Sequence, residues 1–172
     1  SPYSAKCIGF YFYPEVGDEV LLGFLGNDPR YAIIVGSVYS KKNPPPNTPE
    51  NKNELKSIVT KSKMKIDFQE KDKIISMETP GGQKITLDDK AKAVKIEDQN
   101  KNLISMTDKG ITMQSGKDIV LKAKGKITVS SVGNTTVSSK ADVSLAGNNV
   151  KSKAKIALKA EGAASAELKA SG

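Results

Sequence analysis

Residues 116–147 read, in four lines of eight, GKDIVLKA, KGKITVSS, VGNTTVSS and KADVSLAG. Each line has two alternate positions that are mostly apolar, and alternate residues of a β-strand lie on the same face of a sheet. Gly125 and Gly133 occupy equivalent positions, where a residue without a Cβ suits a sharp corner. Each octad therefore predicts a short strand and a corner, with no room for a crossover helix.

The same pairs of apolar positions continue on both sides of these four octads. From Ile66 onward, the first members of successive pairs are separated by 9, 10, 9, 10, 7, 8, 8, 8 and 8 residues. After Gly147 the register slips by one and the spacing of eight continues. The pattern predicts that these positions form a shared core: Ile66, Phe68, Ile75, Met77, Ile85, Leu87, Val94, Ile96, Ile104, Met106, Ile111, Met113, Ile119, Leu121, Ile127, Val129, Val137, Val143 and Leu145.

One chain has too little apolar volume to fill such a core. Each octad supplies two apolar side chains, and Phe68 is the only aromatic residue after Tyr39. Repeats of this kind bury a continuous core by stacking on neighbours, so three chains wound about one axis are predicted. About thirteen octads at roughly 4.8 Å each would give a rod on the order of 60 Å long. A helix over residues 154–170 is the less favoured alternative, because Gly162 interrupts it and the octad pairs run through it.

The N-terminal region has a different composition and predicts part of a small barrel. Eight of the nine aromatic residues lie among the first 39 residues, and strands are predicted at 8–13, 19–25 and 31–39. Three strands are too few to bury eight aromatics, so either strands that precede residue 1 or other chains cover them. We favour a piece of a longer protein, because the opening SPYSAK has no initiator Met.

A Pro-rich stretch separates the two regions. Residues 41–53 read KKNPPPNTPENKN, and a Pro triplet favours extended polyproline geometry. The charge also changes here, from −1 over residues 1–50 to +9 over the remainder. The predicted organisation is an incomplete barrel at 1–40, a linker leading into the repeats at 41–63, and the octad repeats at 64–172.

The composition disfavours most catalytic chemistry. The chain has 172 residues, a net charge of +8, no His and a single Cys7, so neither a Cys–His pair nor an internal disulfide is available. Cys7 is predicted to be a half-buried strand or loop thiol. Asp88-Asp89 and Glu97-Asp98 are adjacent acids that point to opposite faces of a strand, which disfavours a cation site. No catalytic, cofactor-binding or metal-binding residue is predicted, and the Lys excess indicates a solvated face rather than nucleic-acid binding.

Residues 9–40 (GFYFYPEVGDEVLLGFLGNDPRYAIIVGSVYS) resemble the OB-fold neck of VgrG-type spike proteins from contractile injection systems. These systems include type VI secretion, extracellular phage-tail-like injectors and phage spikes. The resemblance continues through TPGGQKITLDD (79–89), IEDQNKNLISM (96–106) and KGITMQSGKDIVLKAKGKITV (109–129). It implies an all-β homotrimer, with a partial OB-fold barrel followed by an intertwined triple-stranded β-helix.

The resemblance also implies partners and a location. The expected partners are two further copies of the chain, the inner tube and baseplate hub through a preceding N-terminal part, a conical tip protein with effectors at the C-terminal end, and transiently the target membrane. No cofactor and no nucleic acid is expected. Family members usually continue past the last Ala/Ser-rich octads, so the tip-binding residues are expected to be absent. Assembly in the bacterial cytoplasm would precede secretion or injection into the target cell.

Two classes of function are compatible with a repeated β-structure. The first is a structural spike that pierces a membrane when a sheath contracts and carries effectors with it. The alternative is a phage-type tail spike or a carbohydrate-active enzyme built on a β-helix. An enzyme of that kind needs clustered acids, His or aromatics on a long face, and the chain has no His and no aromatic residue after Phe68. The spike is therefore the predicted function.

Overall fold

A computed structural model describes residues 3–167, which form two units that divide after Leu121. The described residues are all-β, as predicted, and one short 3-10 helix at Leu25–Asn27 is the only helical turn among them. Within this part of the chain no helix is long and apolar enough to span a membrane. The strands are β1 (Ser4–Ala5), β2 (Ile8–Gly9), β3 (Val20–Phe24), β4 (Ala32–Ser37), β5 (Leu55–Val59), β6 (Lys65–Gln69), β7 (Ile74–Glu78), β8 (Lys84–Asp88), β9 (Ala93–Glu97), β10 (Leu103–Thr107) and β11 (Gly110–Gln114).

The N-terminal region contains two antiparallel pairs, β1–β2 and β3–β4. A bulge shifts the β3–β4 register after Leu21, which lies opposite Gly36, and such irregularities bend a strand pair as a barrel requires. The loop between β3 and β4 is held by Arg30, whose guanidinium donates to Asp28 at 2.6 Å and whose charge lies 5.9 Å from the Tyr31 ring centre.

Two predictions for this region are wrong in detail. The strand predicted over 8–13 ends at Gly9, and residues 11–13 pair with no strand of the described chain. Their neighbouring rings still alternate as in an extended chain, with Phe10 stacked on Phe12 at 4.7 Å and Tyr11 against Tyr13 at 4.9 Å. Cys7 is exposed rather than half-buried, because it occupies the turn between β1 and β2 with φ 59°.

Strands β5 to β11 form one seven-stranded antiparallel sheet in which each strand pairs with its neighbours in sequence. Several of its connections contain a four-residue turn, in which the backbone amide of the fourth residue donates a hydrogen bond to the carbonyl of the first. Lys63, Lys92 and Lys101 are these fourth residues, and each has a positive φ between 48° and 66°. Turns of this kind reverse the chain within a few residues, so the sheet hydrogen-bonds within one chain.

The structure thus divides the region that the sequence treats as one series of octads. Residues 65–114 pair with each other, whereas the expectation was that chains wind around one another from residue 64. The reason lies in the connections, because four or five residues separate each pair of successive strands from β5 to β10 and two separate β10 from β11, enough in each case for a reversing turn. The sheet also begins earlier than expected, since β5 lies inside the stretch predicted to be a linker.

Beyond β11 the described chain has no strand, and it bends at regular intervals. Bends begin at residues 116, 124, 132, 140, 147, 155 and 163, and the segments between them are neither helical nor turned. Successive bends are eight residues apart, except for one interval of seven between 140 and 147. These positions coincide with the corners of the octads, and the short interval coincides with the slip in register after Gly147. No helix forms in the described part of residues 154–170.

Candidate functional site

The apolar pairs of β5 to β11 lie on one face of the seven-stranded sheet, which we name the apolar face. Directly opposite neighbours run across the whole sheet, as in the row Ile66, Met77, Ile85 and Ile96. Cross-strand pairs of this kind are the main stabilising contacts of a sheet. The apolar face consists of Ile58, Ile66, Phe68, Ile75, Met77, Ile85, Leu87, Val94, Ile96, Ile104, Met106, Ile111 and Met113.

Within one chain the apolar face is only partly covered. Phe68, Met77 and Ile104 are each more than a third exposed, and Ile111 at the edge is 73% exposed. An open cavity of about 790 Å³ lies over the face, and Phe12 of the N-terminal region contributes to its lining. Contiguous exposed apolar side chains mark an interaction site, so we expect another chain to cover this face.

The octad segment makes even fewer contacts within its own chain. Between residues 115 and 166 of the described chain no backbone–backbone hydrogen bond forms. The predicted core residues here are also exposed, including Ile127 at 55% and Val129 at 78%. Folded proteins satisfy nearly all of their buried backbone polar groups, so this segment can bury its apolar side chains only when partner strands supply hydrogen bonds.

The predicted core residues therefore fall into two sets. The structure brings together the twelve from Ile66 to Met113 on the apolar face, and it leaves the seven from Ile119 to Leu145 exposed in the octad segment. Their burial in a shared trimer core stays a prediction. Ile58 was missed by the sequence reasoning, although it precedes its partner Ile66 by eight residues in an alternating stretch, LKSIV.

The opposite face of the sheet carries a small polar network that the sequence did not reveal. Asn47 of the Pro-rich stretch donates to Ser57 Oγ at 2.6 Å, and Ser57 Oγ donates to Asp67 Oδ1 at 2.6 Å. Lys65 Nζ lies 2.9 Å from Asp67 Oδ2. Asp67 is 6% exposed, and burial alone would oppose its ionisation. The hydrogen bonds from Ser57 and Lys65 outweigh burial, so the pKa of the Asp67 carboxyl lies below its usual range.

We expect Asp67→Asn to destabilise the sheet by about 1.5–3 kcal/mol at neutral pH, the usual contribution of hydrogen bonds to a charged group. A lowered folded-state pKa stabilises the fold above the unfolded-state value, about 3.9, and this stabilisation is lost as the pH falls through the folded-state value. Urea unfolding at pH 7 and at pH 3 should therefore show a smaller effect of the substitution at pH 3. Asp108→Asn in an exposed turn is the control, and an equal loss from both substitutions at pH 7 would refute this role for Asp67.

The acidic pairs considered for a cation do not form a site. Asp98 is a turn residue whose carboxylate accepts the backbone amides of Asn100 and Asn102 at 2.8 and 3.0 Å. These hydrogen bonds, of which the one from Asn102 contributes most, lower the pKa of the Asp98 carboxyl. Within residues 3–167 no three Cys, Asp or Glu side chains are grouped so that they could hold a metal ion. Asp98 therefore shapes the turn between β9 and β10.

Comparison with protein families assigns both regions. Residues 1–39 match the type VI secretion system/phage-baseplate injector OB domain, and residues 74–152 match the phage baseplate V C-terminal trimerisation domain. The second match contains most of the apolar face and the first octads. No curated protein matches the chain. Both families are structural parts of the baseplate and its spike rather than enzymes, and the C-terminal one supports assembly as a homotrimer. Because the two matches together cover about two thirds of its length, the chain is a member of the VgrG-type spike proteins of phage baseplates and type VI secretion systems.

Proposed function

We propose that three copies of this chain form a membrane-piercing spike that delivers effectors when a contractile sheath fires. The spike is assembled in the bacterial cytoplasm, meets the tube and baseplate hub at its N-terminal end, and carries a tip protein and effectors at the other end. It then leaves the cell with the injected tube. The target membrane is a transient partner.

The observation that supports this proposal best is the incomplete octad segment. Over some fifty residues the chain bends every seven or eight residues, forms no backbone–backbone hydrogen bond of its own between residues 115 and 166, and exposes its apolar positions. Three such chains can close around these positions and satisfy one another's backbone groups. The product would be a narrow rod with backbone hydrogen bonds along its whole length. A spike needs such continuous bonding because it must transmit force along its axis.

The first expected result is the stoichiometry. We expect the purified chain to have three times the mass of one chain, because neither the apolar face nor the octads can be covered within a chain. Light scattering after size-exclusion chromatography measures this mass directly. A folded monomer with the same β-sheet content would contradict the trimeric spike.

The piercing role is tested by delivery from an intact injection apparatus. The natural spike would be replaced by one that carries a destabilised octad segment, and both entry of an effector into target cells and assembly of sheaths would be recorded. We expect sheaths to assemble on the variant while effector entry falls at least tenfold. Normal entry of the effector with a disrupted octad segment would show that the rod has no role in piercing.

The alternative of a carbohydrate-active enzyme predicts a different result. No observation on the described residues favours it, and the chain has no His that could act as a general base or pair with Cys7 as a nucleophile. We expect no hydrolysis of peptidoglycan or capsular polysaccharide above the rate of a heat-denatured sample. Release of reducing sugar that a single substitution abolishes would make the chain an enzyme.

A further inference from the structure

Most of the unbalanced positive charge of the chain lies in its octads. Residues 51–115, which include the seven-stranded sheet, carry 13 Lys against 10 acids, a net charge of +3. Residues 122–160 carry eight Lys against a single acid, Asp142, a net charge of +7. The eight are Lys122, Lys124, Lys126, Lys140, Lys151, Lys153, Lys155 and Lys159. The octads therefore differ from the sheet in charge as well as in backbone hydrogen bonding.

None of these eight lysines has a partner among residues 3–167. All eight are exposed, and none of their ammonium groups makes a hydrogen bond or an ion pair with the described residues. The sheet differs, since Lys56, Lys65 and Lys90 each lie within 3.1 Å of a carboxylate oxygen. The charge of the octads is therefore not neutralised within the chain.

In the proposed trimer these lysines would face outward. Lys124, Lys140 and Lys155 each begin a bend, which is a corner of the rod. The other five are next to the inward positions of their octads, and neighbouring residues of a strand point to opposite faces. Those five are Lys122, Lys126, Lys151, Lys153 and Lys159. Three chains would therefore present all of their octad lysines on the outer surface.

The charge density of such a rod is high. Residues 122–160 make about five octads, which at roughly 4.8 Å each span about 24 Å of the rod. Three copies of +7 then give about one positive charge per 1.1 Å. Double-stranded DNA, by comparison, carries one negative charge per about 1.7 Å of its axis. A rod of this density attracts anionic surfaces strongly, and salt weakens the attraction.

We propose that the lysines of residues 122–160 bind the phosphate groups of anionic lipids in the target membrane. This inference rests on the proposed function, because a trimer must form and reach a membrane before these charges act together there. A bilayer presents its phosphates over an extended surface, which suits ammonium groups spread along one flank of a rod. Each Lys close to an anionic bilayer strengthens binding by a factor of about five.

Nucleic acid also carries dense phosphates, but the composition of the octads argues against it. Residues 69–172 contain no aromatic side chain that could stack on a base. The single Arg of the chain is Arg30, so the octads also lack the side chain best suited to recognising nucleic acid. The octads thus offer charge without a means of reading bases, which favours lipid as the partner.

Sedimentation of the full chain with vesicles tests the proposal. One set of vesicles contains phosphatidylcholine mixed with phosphatidylglycerol, and the other contains phosphatidylcholine alone. We expect the trimer to bind the mixed vesicles at least about tenfold more tightly at physiological salt. The preference should vanish at about 1 M salt, where the Debye length falls to about 3 Å. Equal binding to both vesicles, or no binding to the mixed ones, would overturn the proposal.

Two matched variants test whether the octads carry the binding. The octad variant combines Lys151→Gln, Lys153→Gln, Lys155→Gln and Lys159→Gln. The control combines Lys41→Gln, Lys42→Gln, Lys52→Gln and Lys109→Gln, which are equally exposed lysines outside the octads. Each variant loses four charges per chain. We expect binding to the mixed vesicles to weaken at least about tenfold in the octad variant and less than about threefold in the control. Equal losses would refute a role for the octads.

Light scattering separates this inference from the proposed function. An unmodified chain that is not a trimer refutes the proposed function, whereas a trimeric octad variant that binds normally refutes only the lipid site. If the octad variant does not assemble, acetylation of the unmodified trimer replaces it. Mixed vesicles should then slow the modification of Lys151 and Lys153 but not that of Lys41, and equal rates would overturn the inference. Tighter binding to a DNA duplex than to the mixed vesicles at the same salt would also overturn it.

Discussion

Ile127→Asp is expected to destabilise the trimer by an amount on the order of 10 kcal/mol. If Ile127 faces the threefold axis, one substitution places three carboxylates at nearly the same height, and each buried charge costs several kcal/mol even after relaxation. Between residues 115 and 166 the octad segment has no backbone–backbone hydrogen bond within its own chain that could keep it folded. We therefore expect loss of resistance to denaturing detergent and rapid proteolysis of residues 115–167, measured by gel electrophoresis and limited digestion.

Thr128→Asp is the control for this substitution, because it introduces the same charge at the adjacent residue. Alternate residues of a strand point to opposite faces, so Thr128 is expected to face solvent. Substitutions at exposed sites usually change stability by no more than about 0.5 kcal/mol. Detergent resistance should be almost unchanged. Equal tolerance of both substitutions, or the reverse order, would show that the octad register is wrong.

Ile85→Asp is expected to prevent trimerisation while leaving the sheet of each chain largely folded. Ile85 lies at the centre of the apolar face, opposite Met77 on one side and Ile96 on the other. A charge there loses apolar contacts across the sheet and would be buried in three copies under a covering partner. The sheet itself is hydrogen-bonded within the chain, so circular dichroism should keep its β-signal. Light scattering should fall to the mass of one chain or show aggregates.

Thr86→Asp is the control for this substitution. It places the same charge on β8 without altering the apolar face, and so tests whether any charge on this strand would have the same effect. Thr86 lies on the other face of the sheet, opposite Lys95, and a pair of opposite charges across two strands is mildly favourable. The trimer should persist with a melting temperature within a few degrees of the unmodified chain. A trimeric Ile85→Asp variant with unchanged stability would mean that the apolar face is not an interface.

The octads were readable from the sequence because their signal is local and repeated. Two apolar positions in every eight, with Gly125 and Gly133 at the corners, predict the bend positions without knowledge of distant contacts, whereas the strands between the bends stay a prediction. The seven-residue interval that ends at Gly147 was readable for the same reason. Which chain supplies the neighbouring strand is a different question, since alternation along one strand says nothing about its partner.

Three reversing turns of the sheet have no glycine where the chain takes a positive φ, unlike the turn that ends at Gly82. Lys63, Lys92 and Lys101 have positive φ, a conformation for which Gly, Asn and Asp are the usual residues, so the sequence carries no turn signal at these positions. The bond from Asn47 to Ser57 was equally hidden, because a Pro-rich stretch favours an extended chain wherever that chain packs.

If the octads pair between chains, as we propose, the loss of backbone–backbone hydrogen bonds within the chain after residue 114 sets an order of events in folding. Strands β5 to β11 are joined by short turns, so their sheet has low contact order and can form quickly in an isolated chain. Residues 115–166 form no backbone–backbone hydrogen bond of their own, so in the proposed trimer the octads wait for two other molecules. Association of three preformed sheets is the concentration-dependent step, and it holds the three ends at 114 side by side. Closure of the octads then proceeds from that point as a first-order process whose rate no longer depends on protein concentration.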